Sequence, residues 1–175
     1  MNYICKKYFL QLTFLSFKYE TIVVYDKIKL SENERRDNMK LIFAIDDNYH
    51  ILFNHRRVSR DGNIIKDIQE ALMGRKLYVN NFSASLFDGF KNLIVDNDFL
   101  NVAESNTFCF VENVDVAEHI DKVEMIIIYR FNRIYPGDFS LDKTILNSFS
   151  LDYKEDFAGT SHDKITREVY FRKDV

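Results

Sequence analysis

The densest group of chemically active side chains in the sequence lies between residues 55 and 60. His55, Arg56, Arg57 and Arg60 place four potential cations within six residues. Guanidinium forks match the oxygen atoms of phosphate, and a loop that opens a helix adds unpaired N–H donors for an anion. This spacing predicts a phosphate, nucleotide or RNA contact. The alternative is a solvated loop that pairs with nearby acids, namely Asp46, Asp47 and Asp61.

A second group is the run Ser161, His162, Asp163 and Lys164. Serine, histidine and aspartate that are adjacent in sequence do not form a triad, because that geometry needs residues converging from different parts of the chain. A histidine and a lysine on a loop can still act as a general acid or bind phosphate. The alternative is a polar turn capped by its own hydroxyl groups. The catalytic candidates are therefore His55, His162 and Asp61.

A polar pair, Glu112 and Asn113, follows an apolar stretch that ends at Val111. Ligands of open α/β sheets gather at the carboxyl ends of the strands, so this pair is either a ligand contact or a plug in an inactive site. Four polar residues around a later apolar run either face the same cleft or line its exposed end: Tyr129, Arg130, Asn132 and Arg133.

The sequence contains no HExxH, CxxC, Walker or GxGxxG motif. It therefore predicts neither a metal site nor a dinucleotide cofactor. We interpret His50 and His119 as structural or surface residues, and Cys109 as a small residue of the core.

The composition is typical of a folded domain. The chain has 175 residues, of which 46% are apolar and 29% charged, so it can bury a core. Two cysteines exclude a disulfide framework, and a net charge of −3 argues against a protein coated in basic charge for nucleic acid. These features favour a cytoplasmic α/β or α+β domain without a membrane partner.

Apolar runs and turn signals predict the elements that must position these residues. Residues 40–45 form an almost continuous apolar run, as in a central strand buried on both faces. A helix is expected from Asp61 or Asn63 to Gly74, and short helices at 83–90, 98–103 and 114–120. Further strands are expected at 76–80, 93–95, 108–111, 124–131, 146–151 and 164–172, the last with one wetter face. The result is a mostly parallel central sheet with flanking helices and a C-terminal antiparallel hairpin.

Residues 1–38 differ from the remainder in charge, at +2 against −5 for residues 39–175. Residues 6–17 resemble the basic and apolar regions of a secretion signal, or form an amphipathic strand or membrane-surface segment. We favour a translated leader before a bacterial-type start at Met39, because the codons for residues 34–38 can spell a purine-rich ribosome-binding tract. The intact mass of the natively expressed protein tests this, and a mass for all 175 residues would contradict it. Residues 39–175 then form a single domain.

Five strings, taken in order, resemble the dihydrofolate reductase family. They are 39–48 as its opening strand and turn, 74–83 as its strand ending in Met-Gly-Arg, 108–113 as its strand ending in Gly-Gly, 121–138 as its late strand with Gly-Asp, and 149–172 as its closing hairpin. The resemblance spans about residues 39–172 and implies a dihydrofolate reductase-like fold.

The residues that carry the family's chemistry are replaced. Its catalytic carboxylate falls at Ile64 and Ile65, with Asp61 upstream and Asp67 a turn later. Its phosphate-contacting Gly-Arg becomes Asn80-Asn81, its Gly-Gly becomes Glu112-Asn113, and its Pro-Trp pair becomes His55-Arg56-Arg57. Side chains at 112–113, one of them negative, would obstruct and repel a pyrophosphate, so we expect no NADPH.

We therefore expect a divergent dihydrofolate reductase-like protein without reductase activity. It would bind a phosphate-bearing small molecule or RNA through Arg56, Arg57 and Arg60, with Glu112, Asn113 and Lys164 as further contacts. One alternative is a metal-independent ribonuclease or phosphotransfer enzyme that uses His55 or His162 with Arg56 and Arg57. Another is a protein-interaction module with a vestigial cleft. The oligomeric state stays open.

Overall fold

The computed structural model describes residues 39–173, so the predictions for residues 1–38 lie outside the described residues. Its strands are β1 (Met39–Ile45), β2 (His50–Phe53), β3 (Arg56–Arg57), β4 (Leu77–Val79), β5 (Leu93–Val95), β6 (Phe108–Phe110), β7 (Val123–Arg130), β8 (Phe139–Ser140), β9 (Phe149–Phe157) and β10 (Ile165–Arg172). The α-helices are α1 (Gly62–Leu72) and α2 (Phe99–Val102), and 3₁₀ turns occupy Ala84–Phe87, Ala117–Lys122 and Lys143–Ser148.

Seven strands form the main sheet in the order β5-β4-β6-β1-β7-β10-β9. β1 pairs in parallel with β6 and β7, whereas β10 runs antiparallel between β7 and β9. The predicted sheet, parallel apart from a C-terminal antiparallel hairpin, is confirmed. Its central strands are buried on both faces, which explains why β1 and β7 are near-continuous apolar runs.

A small second sheet, in the order β3-β2-β8, carries the cationic residues. Asn54 and His55 join β2 to β3, and both have positive φ values of 51° and 60°. These φ values lie in the left-handed region. Two successive residues in that region are typical of a tight two-residue hairpin turn, whose twist matches that of the flanking strands. The sequence predicted a loop over the cationic residues 55–60, but residues 56–57 form a short strand of this hairpin instead.

Helix α1 begins and ends as its sequence predicts. The Asp61 carboxylate accepts the amide of Asn63, and the helix terminates at Met73 in the left-handed conformation, followed by Gly74 at φ 82°. Its buried side chains lie three and four residues apart: Ile64, Ile68, Ala71 and Leu72. No helix within residues 39–173 is long and apolar enough to cross a bilayer.

The sequence predicted that one face of the last strand is more exposed to solvent, and this prediction was wrong. Residues 165–169 of β10 are buried on both sides of the sheet, including Arg167 and Glu168. Arg167 donates to Asp67 of α1 at 2.8 Å and to Glu155 of β9 at 2.6 Å. On the other face, Glu168 accepts from Arg130 at 2.8 Å. Ion pairs therefore let charged residues occupy both covered faces, which polarity alternation alone does not reveal.

Two predicted boundaries also differ. The strand expected at 146–151 begins only at Phe149, because Asp142 caps a 3₁₀ turn at Lys143–Ser148 by accepting the amide of Thr144 at 2.8 Å. The short helix expected at 114–120 is a 3₁₀ turn at Ala117–Lys122. Side-chain capping thus decides where the turn at Lys143–Ser148 starts.

Candidate functional site

An open groove of about 610 Å³ is lined by β3 and by the segment that leads from β3 into α1. The Phe82 ring contributes one wall, and the remaining lining residues are His55, Arg56, Arg57, Ser59, Arg60 and Ser161. Of the described residues that line the groove, none is acidic. The structure therefore brings together the whole cationic group predicted from the sequence.

Arg57 and Glu112 face each other across this groove's inner wall. The Arg57 Nε and Nη2 atoms donate to the two Glu112 oxygens at 2.8 and 2.9 Å. Glu112 is buried and also accepts from the Ser83 hydroxyl at 2.6 Å. The Glu112 hydrogen bond, which outweighs burial, raises the pKa of Arg57 above its ordinary value. Arg57 and Glu112 were both predicted to contact a ligand, and in the structure they form an ion pair with each other.

Arg56 and Arg60 are exposed, and within residues 39–173 neither guanidinium has a hydrogen-bond or ion-pair partner. Two of the acids that could have paired with the loop have other partners. Asp46 accepts from His50 Nδ1 at 2.9 Å, and Asp61 accepts from His162 Nδ1 at the same distance. The unpaired positive charge in the groove therefore comes from Arg56 and Arg60.

His162 is buried next to Ser59 and Ser161, which line the groove. Its Nδ1 atom is 2.9 Å from Asp61 Oδ2, and its Nε2 atom is 3.1 Å from Ser59 Oγ and 3.0 Å from the Tyr135 hydroxyl. The ring stacks on Phe131 with centroids 4.9 Å apart. Two catalytic candidates from the sequence, His162 and Asp61, are thus direct partners, whereas His55 stands apart on the exposed hairpin turn.

The Asp61 carboxylate is held by backbone donors from two segments. The amides of Asn63, Thr160 and Ser161 each donate to it at 2.9 Å. Burial by itself would raise the pKa of Asp61, but the hydrogen bonds from His162 and these amides outweigh it, so the pKa lies well below its usual range. Asp61 is therefore a fixed anion beneath the histidine.

The remaining predicted contacts lie away from the groove. Asn113 is exposed and accepts from Asn80 at 2.6 Å, and Lys164 pairs with Asp156 on the C-terminal hairpin at 3.2 Å. Tyr129 is fully buried with its hydroxyl on Asp67, at 2.6 Å. Arg130 joins Glu168, and Asn132 joins Thr166. Burial raises the pKa of Cys109 to about 12, as expected for a core thiol.

Sequence reasoning missed Ser59 and Tyr135. For Ser59 a signal exists in the spacing, because Ser59 lies two residues before the predicted helix cap Asp61, and residues two apart in an extended chain share a side. Nothing comparable marks Tyr135, which reaches His162 from the segment between β7 and β8.

The sheet order and the C-terminal hairpin define an α/β protein with a dihydrofolate reductase-like fold. Among solved structures, the dihydrofolate reductase from Enterococcus faecalis, complexed with NADP(H) and RAB-propyl, is similar with a TM-score of 0.60. The match covers 79% of this chain and 98% of that chain at 13% sequence identity, which shows the fold. No protein-family model and no curated protein matches the chain.

Proposed function

We propose that this protein binds a phosphate-bearing small molecule in the groove beside β3 and has no dihydrofolate reductase activity. The observation that carries this proposal is the pair of exposed guanidinium groups, Arg56 and Arg60, in a groove whose described lining contains no acid. Unpaired arginines in a concave surface are suited to bidentate contacts with phosphate oxygens.

The size of the groove favours a small ligand. Its volume of about 610 Å³ lies within the range of about 300–1,000 Å³ typical of small-molecule sites. The Arg57 guanidinium packs 4.7 Å from the Phe82 ring centroid and is hydrogen-bonded to Glu112, so both contacts hold this wall of the groove in place. A mononucleotide is therefore the natural probe, and a short RNA is the competing one.

Three features support the absence of reductase activity. Ile64 and Ile65 stand at the start of the helix, where the resembled family has its catalytic carboxylate. Asp67, the nearest carboxylate within α1, is bound to Arg167 and Tyr129. Glu112 places a buried carboxylate where that family has glycine beside the dinucleotide, and an anion there disfavours a pyrophosphate.

A thermal-shift titration of the full chain tests this function. AMP, NADPH and a short RNA are compared, and a ligand at about 100 times its Kd stabilises the folded state by about 2.7 kcal/mol. We expect AMP to stabilise the wild type, and NADPH to give no larger shift than AMP.

The matched variants are the double substitution R56A/R60A and the control R133A, which removes an exposed arginine outside the groove. The AMP shift should disappear in R56A/R60A and persist in R133A. A shift retained by R56A/R60A, or none with AMP in the wild type, contradicts phosphate binding here. A thermal shift with RNA but not with AMP would show that the ligand is a nucleic acid and not a small molecule.

A further inference from the structure

Ser59, His162 and Asp61 form a continuous hydrogen-bonded chain that ends in the groove. Ser59 Oγ lies 3.1 Å from His162 Nε2, and His162 Nδ1 lies 2.9 Å from Asp61 Oδ2. Ser59 and Asp61 come from the segment before α1, whereas His162 comes from the loop between β9 and β10. This is the convergence from distant parts of the chain that a nucleophile, base and orienting acid require.

The protonation of the chain follows from its acid. Asp61 is ionised and can only accept hydrogen bonds, so the Nδ1 atom of a neutral His162 must carry the ring proton. The Nε2 lone pair is then free to accept, and it faces the Ser59 hydroxyl. In this tautomer His162 is oriented to remove the proton of Ser59.

The geometry is supported on every side. The His162 ring is buried against Phe131, and three amides fix the Asp61 carboxylate. The Ser161 hydroxyl adds a further hydrogen bond to Asp61 at 3.1 Å. Catalytic groups gain from such restraint, because no reorganisation is needed when the proton moves.

Ser59 itself is accessible. It is half-buried and lines the groove, whereas His162 and Asp61 behind it are buried. Its chain neighbours on the groove include the unpaired Arg60, and Arg56 lines the same surface. A serine hydroxyl beside free guanidinium groups is placed for attack on phosphorus, where the cations stabilise the charge of the transferring group.

The geometry points to Ser59 as the nucleophile of a phosphoryl-transfer reaction on phosphate esters, a reaction that rests on the proposed phosphate binding. Ser59 Oγ bonds to phosphorus while His162 Nε2 takes its proton. The bond from phosphorus to the ester oxygen breaks, and the leaving alcohol receives that proton. Water then attacks phosphoserine with His162 as the base, releasing inorganic phosphate and restoring Ser59. Asp61 acts as a positioning residue.

Tyr135 competes with Ser59 for the same acceptor. Its hydroxyl is 3.0 Å from His162 Nε2, so the two hydroxyl groups share one lone pair. Removing the phenol oxygen leaves Ser59 as the sole donor. Y135F therefore distinguishes an activated serine from a merely structural network, in which losing a hydrogen bond brings no gain in reactivity.

An uncharged fluorophosphonate tests the nucleophile directly in the full chain, with the modified residue located by mass spectrometry. Attack by Ser59 displaces fluoride and forms a phosphonyl-serine. We expect labelling at Ser59, none in S59A, and unchanged labelling in the control S150A, which removes an exposed serine of β9 outside the groove. H162Q, which keeps a polar side chain but no base, should slow labelling by about 100-fold or more, and Y135F should accelerate it.

A second readout uses p-nitrophenyl phosphate with an acid quench, and we expect one phosphoryl group on Ser59. No fluorophosphonate label on Ser59, or equal rates in wild type and a folded H162Q, overturns the nucleophile. Equal or slower labelling in Y135F also overturns the shared-acceptor arrangement. A labelled Ser59 that takes no phosphoryl group from the ester overturns the reaction class.

The two proposals fail separately. Because the fluorophosphonate carries no charge, R56A/R60A should still be labelled at Ser59 although it has lost the AMP shift. Its rate should be lower than that of the wild type, because the arginines no longer stabilise the transferring group. Absent AMP binding with intact labelling therefore rejects phosphate binding alone, whereas intact AMP binding without labelling rejects the nucleophile alone.

Discussion

At the scale of single residues, Arg57 and Glu112 illustrate how burial changes the role of a charged side chain. The Glu112 carboxylate is only 4% exposed and receives both arms of the Arg57 fork. A carboxylate buried to this extent needs its partners, since an isolated buried charge is strongly unfavourable. The pair therefore stabilises the wall of the groove, and in the proposed function Arg56 and Arg60 contact the ligand.

This role predicts the effect of removing one partner. Arg57→Leu leaves Glu112 with the Ser83 hydroxyl, and we expect the free energy of unfolding to fall by about 2–4 kcal/mol. Adding Glu112→Gln removes the stranded charge and should recover part of that loss. Urea denaturation at neutral pH measures both values. A single substitution that costs less than about 0.5 kcal/mol would show that the pair is not structural.

Asp61 predicts a pH dependence of stability. The pKa of native Asp61 lies below that of an unfolded aspartate, about 3.9. Above about pH 5 both states are ionised and the stabilisation is complete. As the pH falls below about 4, the unfolded chain binds a proton that the native state does not, so the free energy of unfolding decreases.

Asp61→Asn is the matched variant, because asparagine also caps a helix. Its free energy of unfolding should change less steeply between about pH 5 and pH 3, by up to about 1.4 kcal/mol per pH unit. Urea titrations at several pH values measure the two slopes. Parallel curves for wild type and variant would exclude a depressed Asp61 pKa.

At the scale of elements, the β9–β10 loop and the start of α1 are built as one unit. The amide of Gly62 donates to Thr160 Oγ1 at 2.8 Å, and Asn63 Nδ2 donates to the Ala158 carbonyl at 2.8 Å. Gly159 allows this approach, since a Cβ atom there would lie 2.4 Å from Asp61 Oδ2. The loop can therefore deliver His162 to Asp61 only if residue 159 lacks a side chain.

Gly159→Ala should accordingly destabilise the protein by about 1–3 kcal/mol and slow fluorophosphonate labelling of Ser59. Gly62→Ala is the control, because its Cβ atom would meet Thr160 at 3.4 Å, an ordinary contact, and alanine favours a helix. Thermal unfolding and labelling rates are compared for the two variants. Equal effects of both substitutions would contradict the close approach at Gly159.

Arg167 in β10 and Lys164, the residue before β10, make ion pairs of very different burial. Arg167 is 7% exposed and ties β10 to α1 and β9, whereas Lys164 and Asp156 are each about half exposed. Arg167→Met leaves two carboxylates near a covered face, and should cost about 3–5 kcal/mol. Lys164→Met should cost no more than about 1 kcal/mol. Chemical denaturation measures the free energy of unfolding of both variants. An equal loss for Lys164→Met and Arg167→Met would contradict the role of burial.

At the scale of the whole molecule, a net charge of −3 coexists with a groove whose exposed charge is positive. The attraction that we propose for an anion is therefore local. Because the Debye length falls from about 10 Å at 0.1 M salt to about 3 Å at 1 M, added salt screens exposed cations. We expect the Kd for AMP to rise several-fold over this range, as measured by calorimetry. Salt-independent AMP binding would argue against contacts through Arg56 and Arg60.

Local patterns in the sequence were sufficient to predict most of the strands, the main helix and the fold class. Continuous apolar runs predicted β1 and β7 as buried central strands, helical spacing predicted α1, and the ordered strings predicted the dihydrofolate reductase-like fold. These features are local, because a strand buried on both faces needs apolar residues at every position. The positive charge of residues 55–60 could also be predicted, since the charge of a side chain follows from its residue type alone.

Only the tertiary structure decided which side chains meet. Arg57 pairs with Glu112, which is 55 residues away, whereas the sequence predicted that it would contact a ligand or the acids nearer in sequence. His162 met Asp61 and Ser59 across more than 100 residues, although its own neighbours Ser161 and Asp163 had suggested a simple polar turn. Such contacts depend on strand register, loop packing and burial, because these decide the energy of each charged group. A local sequence pattern contains no information about them.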